Sequence, residues 1–293
     1  MRVAILGATG TLGQELIRQI LAKDKVEEIV GVSRCELKQK ETAERFKNKK
    51  LRLMIGDIRD ERRMRQVLRN IDVCYHVAAL KHIDSMEENP EESVKTNILG
   101  TINSADAAID CGVKYFVFSS TDKAVDPVNC YGMCKGVSEK ILFSKNKIQN
   151  DTRFRVYRWG NVLFSRGSAL HYFAEAIRAG KPVNLTHPEM TRFWIKIEDA
   201  VAFMISTYQT GASNSAMIPN MKASSVEDVI ASVALILRKS TAINITGPRV
   251  GEKIHEAILS HHERPGGLAS NTAAQYSRDE LTELLRPFVE MTQ

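Results

Sequence analysis

No apolar run in this chain approaches the roughly 20 residues that a bilayer-spanning helix needs, so a membrane-embedded protein is not expected. The apolar stretch at residues 2–6 has no cationic segment or small-residue cleavage site before it, so no secretory leader is expected either. Cysteine is scarce: Cys35, Cys74, Cys111, Cys130 and Cys134 make an odd count of five, with no CxxC. That argues against a disulfide framework and for free thiols in a reducing cytoplasm. A chain of 293 residues buries a large core without such staples. Aromatics are few and do not interleave with the basic run Lys38, Lys40, Arg45, Lys47, Lys49, Lys50 and Arg52. Despite a net charge of +6, nucleic-acid binding is therefore not expected, and the run reads as a solvated face. His255, His261 and His262 have no Cys or carboxylate at ligand spacing, so no metal is assigned. No internal repeat is present. What remains, 43% hydrophobic and 26% charged residues, fits a soluble globular chain.

Strand and helix patterns alternate through about residue 160. Strands are predicted at 2–6, 28–32, 51–55, 72–76, 114–118 and 154–158, and helices near 11–23, 60–70, 92–111 and 130–148. The alternation predicts an α/β fold of Rossmann type, a doubly wound parallel sheet with helices on both faces. Residues 1–160 form the expected dinucleotide domain. Residues 161–293 form a smaller, mixed substrate-binding region, with some segments returning to the Rossmann core. A helix is predicted over 225–238, with an acidic first turn. Residues 263–275 read as a loop.

Two spacings carry the chemistry. Val3-Ala4-Ile5-Leu6 runs into Gly7-Ala8-Thr9-Gly10-Thr11-Leu12-Gly13, and Leu16, Ile17, Ile20 and Leu21 then share one helical face. Strand, glycine-rich turn and helix bring backbone N–H groups to a pyrophosphate. Further on, Tyr131 and Lys135 lie one helical turn apart. An ammonium beside a phenol favours the phenolate, so Lys135 is expected to lower the Tyr131 pKa. Thr121-Asp122-Lys123 adds a hydroxyl, a carboxyl group and an amine. The GxxGxxG loop with YxxxK resembles the short-chain dehydrogenase/reductase superfamily. The second strand ends in Ser33-Arg34, without the acidic residue that holds an NAD ribose. Arg34 and Lys38 suit a 2′-phosphate, so NADP is the expected cofactor. In the superfamily, an Asp placed like Asp57, next to Ile58, meets the adenine.

A more specific resemblance follows from the combination of motifs. They are Ser33-Arg34-Cys35-Glu36-Leu37-Lys38-Gln39, Ala78-Ala79-Leu80-Lys81-His82, Lys95-Thr96-Asn97, Ser120-Thr121-Asp122-Lys123-Ala124, Tyr131-Gly132-Met133-Cys134-Lys135, Gly160-Asn161-Val162, Ser165-Arg166-Gly167-Ser168, Met190-Thr191-Arg192-Phe193-Trp194 and Gly251-Glu252-Lys253-Ile254-His255-Glu256. Over roughly residues 2–258 the chain resembles the inverting UDP-N-acetylglucosamine 4,6-dehydratases, which begin pseudaminic acid biosynthesis. The resemblance departs at Val250 between Arg249 and Gly251, at Met133-Cys134 between Tyr131 and Lys135, and after residue 258, where the chain is shorter than typical members.

The resemblance implies a lyase that borrows and returns hydride. Tyr131 takes the 4-hydroxyl proton, Lys135 holds the nicotinamide ribose, and Thr121 hydrogen-bonds the reacting hydroxyl. Asp122, protonated, donates to the departing 6-hydroxyl, and Lys123, neutral, removes the C5 proton. It also implies cofactor contacts from Gly7, Thr9, Gly10, Thr11, Leu12, Gly13, Ser33, Arg34, Lys38, Asp57, Ile58, Ala78, Ala79, Thr96, Tyr131, Lys135 and Val162. UDP-sugar contacts are implied for Lys81, Asn161, Arg192, Arg249 and Glu252, and a homo-oligomer, dimer or hexamer. A UDP-hexose 4-epimerase or another nucleotide-sugar dehydratase is the near alternative. A non-catalytic NADP-binding protein is the remote one. Cys130 and Cys134 flank the Tyr-Lys pair, either as small helix residues or as redox sensors.

Overall fold

A computed structural model describes residues 1–23, 25–149, 151–163 and 165–291. In chain order the first elements are β1 (Arg2–Leu6), α1 (Thr11–Ala22), β2 (Glu28–Ser33), α2 (Glu36–Phe46), β3 (Leu51–Ile55) and α3 (Glu61–Val67). Then come β4 (Val73–His76), α4 (Ile83–Glu88), α5 (Pro90–Ser93), a π-helical turn (Val94–Leu99), α6 (Gly100–Asp110), β5 (Tyr115–Ser119), a 3₁₀ turn (Asp122–Ala124), α7 (Cys130–Ile148) and β6 (Arg153–Tyr157). The later elements are β7 (Asn161–Val162), α8 (Ala169–Arg178), β8 (Val183–Leu185), β9 (Thr191–Ile195), α9 (Ile197–Thr207), β10 (Ala223–Ser225), α10 (Val226–Leu237), β11 (Ile243–Ile245), β12 (Ala257–Leu259), β13 (Leu268–Ala269) and α11 (Arg278–Met291).

The chain divides into two compact units. The first holds Met1–Arg158 and Glu198–Pro219, and the second Trp159–Ile197 and Asn220–Gln293. In the first, six strands pair in the order β3-β2-β1-β4-β5-β6, parallel at every step. This is the doubly wound order, and its reversal point lies between β1 and β4. Strands β1, β4 and β5 are nearly continuous apolar runs because both of their faces are buried. Leu6, Val30, Phe116, Phe118, Phe154 and Val156 pack with Met64, Leu68, Ala105, Ala108 and Leu142 from the helices. Each such fully buried large side chain is worth about 1.5–3 kcal/mol over its exposed state. Met217, from the returning segment, bridges Tyr157 and accepts a hydrogen bond from Arg158 N at 3.0 Å.

The expected strands stand within a residue or so of their predicted ends. One helical expectation needs correction, and one helix was not predicted. The stretch 92–111 is not one α-helix: it passes through the π turn at Val94–Leu99. The basic run was read as a solvated face, and its Lys38, Lys40, Arg45, Lys47, Lys49 and Arg52 are exposed; helix α2, which was not predicted, overlaps its first part. The inner face of α2 is polar: Gln39 and Thr42 are buried, and Gln39 Nε2 donates to Ser33 O (2.9 Å), Ser33 Oγ (3.1 Å) and Met54 O (2.8 Å). A helix pinned through an amide carries no apolar periodicity to read.

The second unit has its own core, in which α10 packs on α8 and α11 through Val229, Ile230, Val233, Phe173, Ile177, Leu281, Leu285 and Val289. Sheet β10-β9-β7 and the pairs β11-β8 and β12-β13 complete it. Residues 263–275, read as loop, include β13, whose two residues pair antiparallel to β12. A two-residue strand is too short to show alternation.

Candidate active site

The glycine-rich loop leaves β1 at the reversal point of the sheet. Gly7 adopts φ +95°, and a Cβ there would come 2.7 Å from Ala78 N, so this turn and its contact with the segment after β4 need glycine. Gly7 N and Ala8 N donate to Val32 O at 2.9 and 3.1 Å, which ties the loop to the end of β2. A Cβ on Gly13 would come 2.3 Å from Gly7 O, so that glycine sets the close approach of α1 to the loop. Gly10 differs. It is the N-cap of α1, with no side-chain cap, and a Cβ on it would meet a single atom within 4 Å, Gly7 O at 3.2 Å. The bare Gly10 therefore leaves open space at a helix N-terminus, the shape and polarity a pyrophosphate requires. Thr9 is buried, and Thr11 and Leu12 open the helix.

The neighbouring strand ends supply the rest of this edge. Ser33 ends β2, its hydroxyl held by Gln39, and Arg34 and Lys38 follow with exposed side chains. Arg34 Nη1 lies 3.8 Å from Asp57 Oδ2, after β3. Burial alone would raise the Asp57 carboxyl; hydrogen bonds from Arg59, with Arg34 beyond, hold it below its usual value. The Ile58 side chain packs into the core against Gly100. Ala78 and Ala79 follow β4, and Thr96 is buried in the π turn.

Thr121-Asp122-Lys123 leaves the C-terminal end of β5. Thr121 caps the 3₁₀ turn, accepting from Lys123 N at 3.4 Å, and its hydroxyl donates to Asp122 Oδ1 at 2.9 Å. Lys123 Nζ lies 3.0 Å from the same oxygen, and the Asp122 side chain is wholly buried. Asn129 then caps α7, accepting from Gly132 N at 2.8 Å. A Cβ on Gly132 would come 2.1 Å from Lys123 O, so the first turn of α7 presses on the 3₁₀ turn. Tyr131 is thereby set against Thr121 and Lys123.

The electrostatics of Tyr131 correct the sequence expectation. Burial pushes its phenol up to about 12, while the Lys123 charge and the Thr121 hydrogen bond pull it down and Asp122 pushes it up. The cation acting on Tyr131 is thus Lys123, not Lys135. Lys135 Nζ donates to Ser119 O and sits 3.8 Å over the Phe118 ring. Burial brings the Lys135 ammonium down to about 7, with Glu139 opposing that shift. One helical turn gives two residues a common face, but rotamers decide where a long side chain ends.

Two supporting groups had no role assigned from the sequence. Asn97, in the π turn, accepts from Leu80 N and donates to Leu80 O, both at 2.9 Å, and its carbonyl accepts from Ser138 Oγ of α7 at 2.8 Å. It ties the segment after β4 to the helix that carries Tyr131. Glu139, one turn beyond Lys135, receives two hydrogen bonds from Arg158 Nε (2.9 and 3.1 Å), one from Arg158 Nη2 (2.6 Å) and one from Ser120 Oγ. Both members of that ion pair are buried. The only advance signal was an acidic residue on the inward face of α7.

The expected sugar-nucleotide contacts divide between the units. Lys81 is exposed in the first. In the second, Asn161 and Val162 form β7 beside Trp194 and Ile195. Arg192 is buried, and its guanidinium donates to the carbonyls of Thr191 (2.7 Å), Lys253 (2.9 Å) and Ile254 (2.9 Å). It braces the 252–256 segment, an arrangement unlike an arginine offered to phosphate. Arg249 is exposed, and its N–H donates to Glu252 Oε2 at 3.4 Å. His255 Nδ1 is 2.9 Å from Thr191 Oγ1. Among the described residues no group of three or more His, Cys, Asp or Glu is placed to hold a metal ion.

Comparison with known proteins shows the family of the chain. Residues 3–274 match the polysaccharide biosynthesis protein family. A UDP-N-acetylglucosamine 4,6-dehydratase (inverting) of Campylobacter jejuni is 40% identical over 261 residues, 88% of this chain and 77% of its own length. A UDP-glucose 4-epimerase of Rickettsia akari is 33% identical over 264 residues, with the same two shares. The X-ray structure of Pen from Bacillus thuringiensis superposes with a TM-score of 0.91 at 31% identity, covering 98% of this chain and 97% of that one. The likeness to inverting dehydratases drawn from the sequence motifs is borne out, and the chain belongs to the polysaccharide biosynthesis protein family.

Proposed function

We propose that this protein is an inverting UDP-N-acetylglucosamine 4,6-dehydratase that uses NADP. The observation that carries the reading is the buried Asp122, hydrogen-bonded at one oxygen to both Thr121 and Lys123 and set beside Tyr131. An epimerase needs the tyrosine but has no use for an acid and an amine that share a proton.

The open space at Gly10 fits a dinucleotide pyrophosphate, with Gly7, Thr9, Thr11, Leu12 and Gly13 around it. Ser33, Arg34 and Lys38 are assigned to the 2′-phosphate, Asp57, Ile58, Ala78, Ala79 and Thr96 to the adenosine side, and Val162 to the nicotinamide side. Arg34 is exposed and already faces Asp57, and a guanidinium fork suits phosphate oxygens. A bound nicotinamide would supply a hydride acceptor for C4 and a hydride donor for C6, leaving the sugar with no net redox change.

The chain's own residues move the protons. Thr121 and Tyr131 bind the 4-hydroxyl, and Tyr131, acting as the phenolate that the Lys123 charge favours, takes its proton. Lys135 is assigned to the nicotinamide ribose. Transfer of one proton from Lys123 Nζ to Asp122 Oδ1 turns the ion pair into a neutral amine and a carboxylic acid. In water that transfer is uphill by the gap between an ammonium and a carboxyl pKa. Burial of Asp122 penalises both charges and narrows the gap. The amine then removes the C5 proton, acidified by the adjacent 4-ketone, and the acid protonates the departing 6-hydroxyl, which leaves as water. The ion pair is regenerated, a solvent proton delivered to C5 from the opposite face inverts that centre, and Tyr131 gives up to solvent the proton it took.

Lys81, Asn161, Arg249 and Glu252 are assigned to the UDP-sugar, and Arg192 to bracing the 252–256 segment. No helix among the described residues is long and apolar enough to cross a membrane. Work in the cytoplasm as a homo-oligomer, dimer or hexamer, completes the proposal. Incubation with UDP-N-acetylglucosamine and mass analysis tests it. Loss of one water supports it, and an isomer of unchanged mass would favour the epimerase.

A further inference from the structure

Cys130 and Cys134 take no part in that chemistry, yet they bracket it. Their Sγ atoms lie 4.0 Å apart on successive turns of α7, with Tyr131 next to one and Lys135 next to the other. Cys130 is half-buried at the first helical position, and Cys134 is buried. Both are free thiols. A disulfide needs an S–S bond of about 2.05 Å and Cα atoms about 4.4–6.8 Å apart. One helical turn meets the second condition, so the sulfurs need to close by about 2 Å. The start of α7 is where a helix yields most readily, because its first N–H groups have no partner along the helix. Here the Cys130 N–H donates to Glu87 Oε1 at 2.6 Å instead. Burial holds the Cys134 thiol up to about 12, with Cys130 adding to the shift. The outer sulfur, on Cys130, is therefore the one that meets an oxidant.

We propose that Cys130 and Cys134 form an oxidisable dithiol that closes to a disulfide under a hydroperoxide and displaces Tyr131. The loss of activity this entails rests on the role given to Tyr131 above. Cys130 sulfur attacks the outer peroxide oxygen and the O–O bond breaks. The products are a sulfenic acid on Cys130 and an alcohol, or water when the oxidant is hydrogen peroxide. Cys134 sulfur then attacks the sulfenic sulfur and expels hydroxide, which takes the Cys134 proton and leaves as water. Two thiols are oxidised and one peroxide is reduced. Drawing the sulfurs together tightens the turn that holds Tyr131 between them. That turn has no slack against Lys123, since even a methyl group on Gly132 would reach within 2.1 Å of Lys123 O. Tyr131 therefore shifts relative to Thr121 and Lys123, and a displacement of about 1 Å at a reacting group costs about 10²-fold in rate.

The test treats the reduced full chain with hydrogen peroxide and maps thiols by mass spectrometry without reduction. The expected product is one internal bridge between Cys130 and Cys134, reversed by dithiothreitol. Amide hydrogen exchange across residues 130–135 should rise with it, and dehydration of UDP-N-acetylglucosamine should fall about 10²-fold. Cys134→Ser and, separately, Cys130→Ser should keep parent activity when reduced and lose little of it under peroxide. Absence of the bridge, a bridge with unchanged exchange, or variants that lose as much activity under peroxide as the parent does would overturn the proposal. A reduced parent that does not dehydrate the sugar would overturn the functional reading instead, and the bridge and exchange measurements would still decide the dithiol.

Discussion

Lys123 Nζ and Asp122 Oδ1 lie 3.0 Å apart, and the Asp122 side chain has no exposed surface. Neighbours in sequence rarely point at each other, and here the 3₁₀ turn capped by Thr121 folds the two side chains together. The arrangement gives the account its acid and its base from a single shared proton.

The first prediction separates two half-reactions. Tyr131→Phe removes the base for the 4-hydroxyl, so neither reduced nicotinamide nor keto sugar should form. Lys123→Ala should slow oxidation at C4, because the cation beside Tyr131 is lost, but should block loss of the C5 proton more severely, so reduced nicotinamide should still accumulate after mixing with substrate. Dehydration should fall by about 10²–10⁴-fold, the usual worth of a positioned proton-transfer group. Rapid-mixing absorbance of the reduced cofactor reads both. Dehydration by Lys123→Ala at the parent rate would leave the ion pair a structural role only.

Arg34 should set the cofactor preference. Arg34→Asp places a second carboxylate beside Asp57 and removes the fork offered to a 2′-phosphate. NADP affinity should fall by at least tenfold and NAD affinity far less. Fluorescence titration with the two reduced cofactors measures it, and equal parent affinities unaffected by the substitution would contradict the assignment.

Gly132→Ala should perturb both stability and the site. Its Cβ would meet the Lys123 carbonyl at 2.1 Å, a rigid backbone atom. Overpacking of this kind costs about 1–3 kcal/mol, so the urea midpoint should drop. Activity should fall more than stability explains, because the atom pushed aside belongs to Lys123. An unchanged midpoint with full activity would show that α7 and the 3₁₀ turn are not in tight contact.

How much of this was legible in the sequence depended on whether a signal was local. Strand β1, the glycine turn and α1 were readable because Gly13 answers a steric demand made within a few residues, and because Leu16, Ile17 and Ile20 repeat at helical spacing. Helix α2 was missed because amide hydrogen bonds from Gln39, rather than apolar burial, fix it to the sheet. The π turn was invisible because Asn97 draws its meaning from Leu80 and Ser138, 17 and 41 residues away. Sequence spacing put Lys135 beside Tyr131. The ammonium instead reaches Ser119 O and the Phe118 ring, and Lys123, brought in by tertiary packing, acts on the phenol.

Glu139→Gln should be strongly destabilising, because it leaves Arg158 as a buried cation without its counter-charge. Loss of one partner of a buried pair costs about 3–5 kcal/mol. Adding Arg158→Met should restore part of that loss, as removing both charges relieves the desolvation cost. A double variant no more stable than Glu139→Gln alone would contradict this view of the pair.

Lys135 should leave a mark on pH dependence. Its folded value near 7 lies below the unfolded value of 10.5, so between them the unfolded chain binds more protons. Stability from this group therefore rises with pH from about 7 to about 10. Subtracting the urea stability of Lys135→Met from that of the parent at each pH isolates the rise. A difference that stays flat across the window would show that Lys135 is fully charged in the fold.

The most direct test of the central claim follows UDP-N-acetylglucosamine with the purified protein in D₂O by proton NMR. The account predicts a 4-keto-6-deoxy sugar that carries deuterium at C5, with that centre inverted. A product that retains its 6-hydroxyl, with protium still at C5, would contradict it.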